Sequence, residues 1–197
     1  MSDFDLGEFI PPVKYDNTRL LSFLKEKEDL RLEGYHATKD EAKDELVTVG
    51  WGSTRRVGLG DKITEEQAEE FFKQDVGDAE GHIRDLVKVP LNDNQRMALV
   101  SLVMNIGRQR LLDSKALKNL NNGDYKGFLF EANDPAMGFV KDRKGGEILG
   151  GLLKRRDDEG KMFNGTLWPE EERDWQKENL GAFDTTNDRF DELYLGN

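Results

Sequence analysis

The chain has 197 residues, 40 acidic against 29 basic, with 36% hydrophobic residues and no cysteine. That length suits one domain, or one domain with an appendage, and can bury a sizeable core without staples. The missing thiols exclude a disulfide framework, a cysteine nucleophile and any zinc site built on thiolates.

The charge is placed unevenly. Of the net −11, −3 lies in residues 1–13 and −6 in residues 168–197, leaving −2 for residues 14–167. A near-neutral body with acidic ends supplies no basic face, so no nucleic-acid partner is expected. No run approaches the ~18 apolar residues of a membrane span, so no span is expected either. Met1-Ser2-Asp3-Phe4-Asp5 lacks the basic and apolar stretches of a signal peptide, which implies that another agent releases the protein if it leaves a cell.

Residues 1–13 read as an acidic arm ending in Pro11-Pro12. Asn17 is placed to cap a helix through about Asp29, with Leu20, Leu21 and Leu24 on one side. Leu30 to Ala37 and Leu46 to Ser53 read as strands, joined by the polar segment 38–44. Gly50, Gly52, Gly58 and Gly60 suggest a strongly bent sheet or a third short strand. Thr64-Glu65-Glu66-Gln67 has the capping-box pattern and opens a helix with Ala68, Phe71 and Phe72 on one face. Ile83, Leu86 and Val87 mark a second helix, stopped before Pro90.

Asn92-Asp93-Asn94-Gln95 repeats the cap pattern ahead of the run Met97 to Met104, which is apolar nearly all round and reads as a buried central helix. Shorter helices follow over Ser114 to Leu120 and Tyr125 to Ala132. The last body helix runs from about Gly151 to Phe163, with Leu152, Leu153 and Met162 inward. The predicted class is α+β, mostly α: a small β-hairpin lobe beside a helical bundle. The division is a 1–13 arm, a 14–167 body and a 168–197 extension.

Only two histidines occur, His36 and His82, too few for a full metal ligand set without carboxylate help. There is no Gly-x-Ser-x-Gly elbow and no phosphate-binding glycine loop between a strand and a helix. No metal or cofactor is expected, and the chemistry falls to carboxylates.

Order selects among the 40 acids. Glu28-Asp29-Leu30-Arg31-Leu32-Glu33-Gly34-Tyr35, followed by Val47-Thr48-Val49-Gly50-Trp51-Gly52-Ser53-Thr54, resembles the start of the phage-type lysozymes, glycoside hydrolase family 24. Ile63 to Ala68, Leu91 to Gly107, Ser114 to Asp124 and Gly151 to Glu159 are similar to later segments of that family, in its order, over about residues 17–165.

The resemblance implies a lysozyme-like fold and cleavage of peptidoglycan glycan strands between N-acetylmuramic acid and N-acetylglucosamine. Glu28 would be the general acid; a carboxyl where a helix meets a sheet is partly shielded from water, a setting that suits a proton donor. The family places an aspartate nine residues after this glutamate, where Ala37 stands here, and the interval from Glu28 to Thr48 exceeds the usual one by five. Asp40 or Asp44 in the enlarged turn could fill that place, with Asp40 preferred. Otherwise Thr48 and backbone alone hold the water. Thr48 would position the water or the anomeric centre. Ser53 replaces the family's histidine, so no role carries onto it. Met104, Asn105 and Tyr35 fall at substrate-binding positions, and Arg155 or Arg156 is a candidate partner for Glu28.

Two alternatives remain open at this level: an inactive lysozyme-fold structural protein of the virion, and a lytic transglycosylase in which a sugar hydroxyl attacks. The expected setting is synthesis in the host cytoplasm and action on the cell wall, or carriage in the virion, by a monomer when free. Residues 168–197 hold Trp168, Trp175, Phe183, Phe190 and Tyr194 among the acids, more aromatics than a purely disordered tail tends to carry. They are expected to dock on a groove of the same domain or on a virion partner, or to act as a charged flap over the cleft.

Overall fold

The computed structural model describes residues 17–38, 41–42, 45–54, 56–134, 138–141 and 148–167. The proposed 1–13 arm, the 168–197 extension, Asp40 and Asp44 lie outside these residues.

Among the described residues the order is α1 (Thr18–Lys27), β1 (Arg31–Tyr35), β2 (Thr48–Gly50), β3 (Ser53–Thr54), α2 (Glu65–Leu86), α3 (Asp93–Ile106), α4 (Arg108–Leu112), α5 (Lys115–Asn121), α6 (Tyr125–Asn133) and α7 (Gly150–Phe163). The class is α+β and mostly helical. None of these helices is long and apolar enough to cross a membrane.

The sheet is antiparallel with order β1-β2-β3. Tyr35 faces Thr48 across β1 and β2, and Thr48 faces Thr54 across β2 and β3. The strand expected over residues 46–53 is divided by a tight turn at Trp51-Gly52. Gly50 (φ +64°) and Gly52 (φ +92°) take left-handed backbone angles there, which a side chain would resist.

The two helices expected between Thr64 and Val87 are one helix of 22 residues. Ala68, Phe72, Val76, Ala79, Ile83 and Leu86 recur every three or four residues and bury one unbroken stripe. Gly77 and Gly81 interrupt the composition without interrupting the stripe, at a propensity cost of about 1 kcal/mol each. Both predicted capping boxes form: Thr64 with Gln67, and Asn92 with Gln95. Asn17 departs from expectation, because its side chain caps nothing. It donates instead to Glu80 at 3.1 Å and accepts from Arg96 at 3.0 Å, tying the start of α1 to α2 and α3.

α3 is the axis of the bundle, buried continuously from Arg96 to Val103. The other helices pack around it, with Leu20 and Leu24 of α1, Leu120 of α5 and Met162 of α7 almost fully enclosed. Leu153, expected to face inward, is instead exposed on α7. Arg155, Arg156 and Glu159 bury themselves in its place, so the inner face of this helix is ionic at its middle.

A smaller cluster of Val49, Ile63 and Ala68 lies under the sheet. Trp51 touches both clusters and packs its ring 5.5 Å from that of Phe72. It thereby fixes the β2–β3 turn against the bundle.

Candidate active site

Glu28 is the C-terminal cap of α1 and the first residue of extended backbone (φ −128°, ψ 135°). Leu20, Phe23 and Leu24 anchor the helix behind it, and the chain then turns into β1. The carboxylate is thus at the junction of helix and sheet, with its side chain 38% exposed and reachable from solvent.

Its two oxygens meet different surroundings. Oε1 accepts from Arg155 Nη1 at 2.8 Å. Oε2 lies by the β2–β3 turn, 3.9 Å from where a Cβ on Gly52 would stand. Glycine at position 52 keeps a side chain from coming into contact with Oε2. Of the two candidate arginines, Arg155 is the one that reaches Glu28. Arg156 instead donates to Asn105 Oδ1 at 3.1 Å.

Thr48 is buried at the start of β2. Its hydroxyl donates to Glu41 Oε2 at 3.0 Å. Glu41 is itself buried and also accepts from the Ala37 backbone N–H at 2.7 Å. The Glu41 N–H donates to the Thr38 hydroxyl, and its carbonyl accepts from Leu46 N–H. The enlarged turn therefore folds a carboxylate back onto the sheet.

Sequence reasoning looked to Asp40 and Asp44 and passed over Glu41. A signal was present: Thr38-Lys39-Asp40-Glu41 has the Thr-x-x-Glu spacing of a capping box, in which the glutamate accepts from the threonine's own backbone N–H. Here it reaches one residue further, to Ala37.

The remaining expected residues take varied places. Tyr35 is half-buried, opposite Thr48, with the Arg31 guanidinium 4.4 Å over its ring. Met104 is half-buried and packs against the main core, while Asn105 is engaged by Arg156. Ser53 is buried and donates to Asp75, which also accepts from Arg56. His36 Nδ1 donates to the Leu46 carbonyl at 2.6 Å. Among the described residues no group of three or more His, Asp or Glu side chains is arranged to hold a metal ion.

Chemically, the arrangement offers a pinned but accessible carboxyl on one side and a hydroxyl–carboxylate pair on the sheet. The Thr48 hydroxyl gives its hydrogen to Glu41, which leaves its oxygen free to accept from a water.

Comparison with known proteins bears on the family and the fold. Residues 25–159 match the family model described as phage lysozyme. The chain is 38% identical over 145 residues to an endolysin of Acyrthosiphon pisum secondary endosymbiont phage 1, covering 73% of this chain and 93% of that one. It is 34% identical over 145 residues to the endolysin of Salmonella phage P22, covering 71% and 91%. Among solved structures, the endolysin from Escherichia coli O157:H7 phage FAHEc1 superposes with a TM-score of 0.64 at 30% identity, covering 78% of this chain and 95% of that one.

Proposed function

Because the chain belongs to the phage lysozyme family and is a peptidoglycan-degrading muramidase, we propose that it cleaves the bond between N-acetylmuramic acid and N-acetylglucosamine with Glu28 as the general acid. The observation that carries this reading is the split environment of the Glu28 carboxyl, with Oε1 held by Arg155, Oε2 beside the side-chain-free Gly52, and the side chain 38% exposed.

In the proposed reaction Oε2 gives its proton to the glycosidic oxygen as the bond from that oxygen to the anomeric carbon breaks. A water accepted by the Thr48 hydroxyl attacks the anomeric carbon. Glu41 takes the water's proton, so one carboxyl loses a proton as the other gains one. Glu41, rather than Asp40 or Asp44, is the second carboxylate in this reading. A carboxylate poised on Thr48 favours attack by water over attack by the sugar's own hydroxyl, hence hydrolysis over transglycosylation.

We place its action on the bacterial cell wall after synthesis in the host cytoplasm. Residues 14–167 are the catalytic body of the proposal, and the chain works as a monomer when free. Residues 168–197 dock on that body, with a virion partner as the alternative occupant.

Turbidity clearing of chloroform-treated Gram-negative cells tests the proposal. The parent clears, and Glu28→Gln loses at least ~10²-fold in rate, the lower range for removing a positioned proton donor. Its thermal midpoint stays close to that of the parent. Retained clearing with a large fall in stability would make Glu28 structural, and no clearing by the parent at any salt or pH would favour an inactive virion protein.

A further inference from the structure

Glu159 has no part in the reaction as described, yet it is a carboxylate almost wholly removed from water in the middle of α7. Burial pushes its carboxyl up, while Arg156, Arg155 and the Ser101 hydroxyl hold it down. A buried acid of this kind costs stability unless its oxygens are answered, and here Oε1 gathers three donors while Oε2 is met by an ion pair alone. Oε1 accepts from the Ser101 hydroxyl at 2.6 Å, from Arg156 Nη2 at 2.9 Å and from Arg155 Nε at 3.3 Å. Oε2 lies 2.8 Å from Arg156 Nε.

The arrangement has a direction. Arg155 is gripped at Nε by Glu159, and its Nη2 lies 3.5 Å from the Ser101 carbonyl. The remaining nitrogen, Nη1, is thereby aimed at Glu28 Oε1. A guanidinium is planar, so fixing two of its nitrogens fixes the third. The second arginine runs in parallel, held by Glu159 and pointing at Asn105 near the end of α3. One buried carboxylate thus orients two cations, each of which reaches a residue expected at the cleft.

We propose that Glu159 is a positioning residue for Glu28, acting through Arg155, with Ser101 holding Glu159 in turn. The inference rests on the reading of Glu28 as the general acid. Its effect falls on the bound complex: with Arg155 loosened, Glu28 Oε1 loses its anchor and Oε2 no longer faces the glycosidic oxygen in one geometry. Loss through the Arg155 arm is read in kcat, whereas any loss passed through Arg156 to Asn105 is read in KM.

The test is steady-state kinetics on solubilised peptidoglycan strands with the full chain and four variants: Glu159→Gln, Arg155→Leu, the double variant and Glu28→Gln. Glu159→Gln keeps the shape and an acceptor oxygen but loses the charge. It should lower kcat roughly tenfold, short of the ~10²-fold that a displacement of ~1 Å can cost, with KM within about twofold. The double variant should be no slower than Arg155→Leu alone, because both changes remove one arrangement.

An unchanged kcat in folded Glu159→Gln, or losses that multiply in the double variant, would overturn the inference. If Glu159→Gln does not fold, Ser101→Ala carries the test by removing the hydroxyl that donates to Glu159, and an unchanged kcat there overturns it equally. Glu28→Gln separates the two readings. Full activity in that variant would remove the general acid itself, whereas a dead Glu28→Gln beside a normal Glu159→Gln would remove only the positioning role.

Discussion

The Thr48 hydroxyl and the Glu41 carboxylate are joined at 3.0 Å, across an enlarged turn that carries no aspartate at the family's usual position. The turn restores a carboxylate to the strand by folding rather than by register. Thr38 stops the Glu41 N–H, Leu46 closes on the Glu41 carbonyl, and the side chain is left to reach Ala37 and Thr48.

Glu41→Gln keeps those acceptor contacts and removes the base. It is expected to lower kcat by at least ~10²-fold. Asp40→Asn and Asp44→Asn should each stay within about twofold, the scale of a surface change without a catalytic role. Rates on purified peptidoglycan decide it. A loss confined to Asp40→Asn or Asp44→Asn would return the role to the turn's aspartates.

Lys25 joins α1 to α2 by donating to Glu69, with its ammonium 4.4 Å over the Trp51 ring. The Lys25 hydrogen bond holds the Glu69 carboxyl below its ordinary value. In the unfolded chain that value is restored, so between the two values the unfolded state binds more protons. The pair's contribution is therefore complete above the ordinary carboxylate range and is lost as pH falls through the folded value.

Glu69→Gln should lower Tm at pH ~7 by no more than about 3 °C, since a partly exposed ion pair contributes under ~1 kcal/mol. The gap between parent and variant should start to narrow as pH falls through the ordinary carboxylate value and close below the folded one. Melting curves across that range check it. A gap that persists in acid would assign the effect to packing instead.

Much of this architecture is legible in the chain because it rests on local signals. The caps at Thr64 and Asn92 and the all-round apolar run of α3 each follow from a few adjacent residues. What escaped depends on distant partners. Ile83 and Leu86 read as a separate second helix, but the stripe from Ala68 to Leu86 packs as one face and joins the two. Leu153 looked inward by composition, yet the face of α7 that meets α3 is taken by Arg155, Arg156 and Glu159. Only the presence of Glu28 and Ser101 on other elements makes that burial affordable, and no window of sequence holds all of them. Glu41 was hidden differently, as one acid among several in a polar turn.

Leu167, the last described residue before the extension, packs against the main core beside the start of α1. The chain leaves the body on a groove floored by Phe23 and flanked by Thr18, Ser22 and Lys154. If residues 168–197 dock on the body as proposed, truncation after Leu167 lowers Tm. Differential scanning calorimetry tests this. A rise in activity with unchanged Tm would indicate a flap over the cleft instead.

The central claim, that water attacks at the muramic acid carbon with Glu28 supplying the proton, can be read from the products. Purified peptidoglycan digested in water enriched in oxygen-18 should give new reducing ends on N-acetylmuramic acid, each carrying one heavy oxygen, and Glu28→Gln should release almost none. Anhydro-muramic ends without label, or labelled ends on N-acetylglucosamine, would contradict the account.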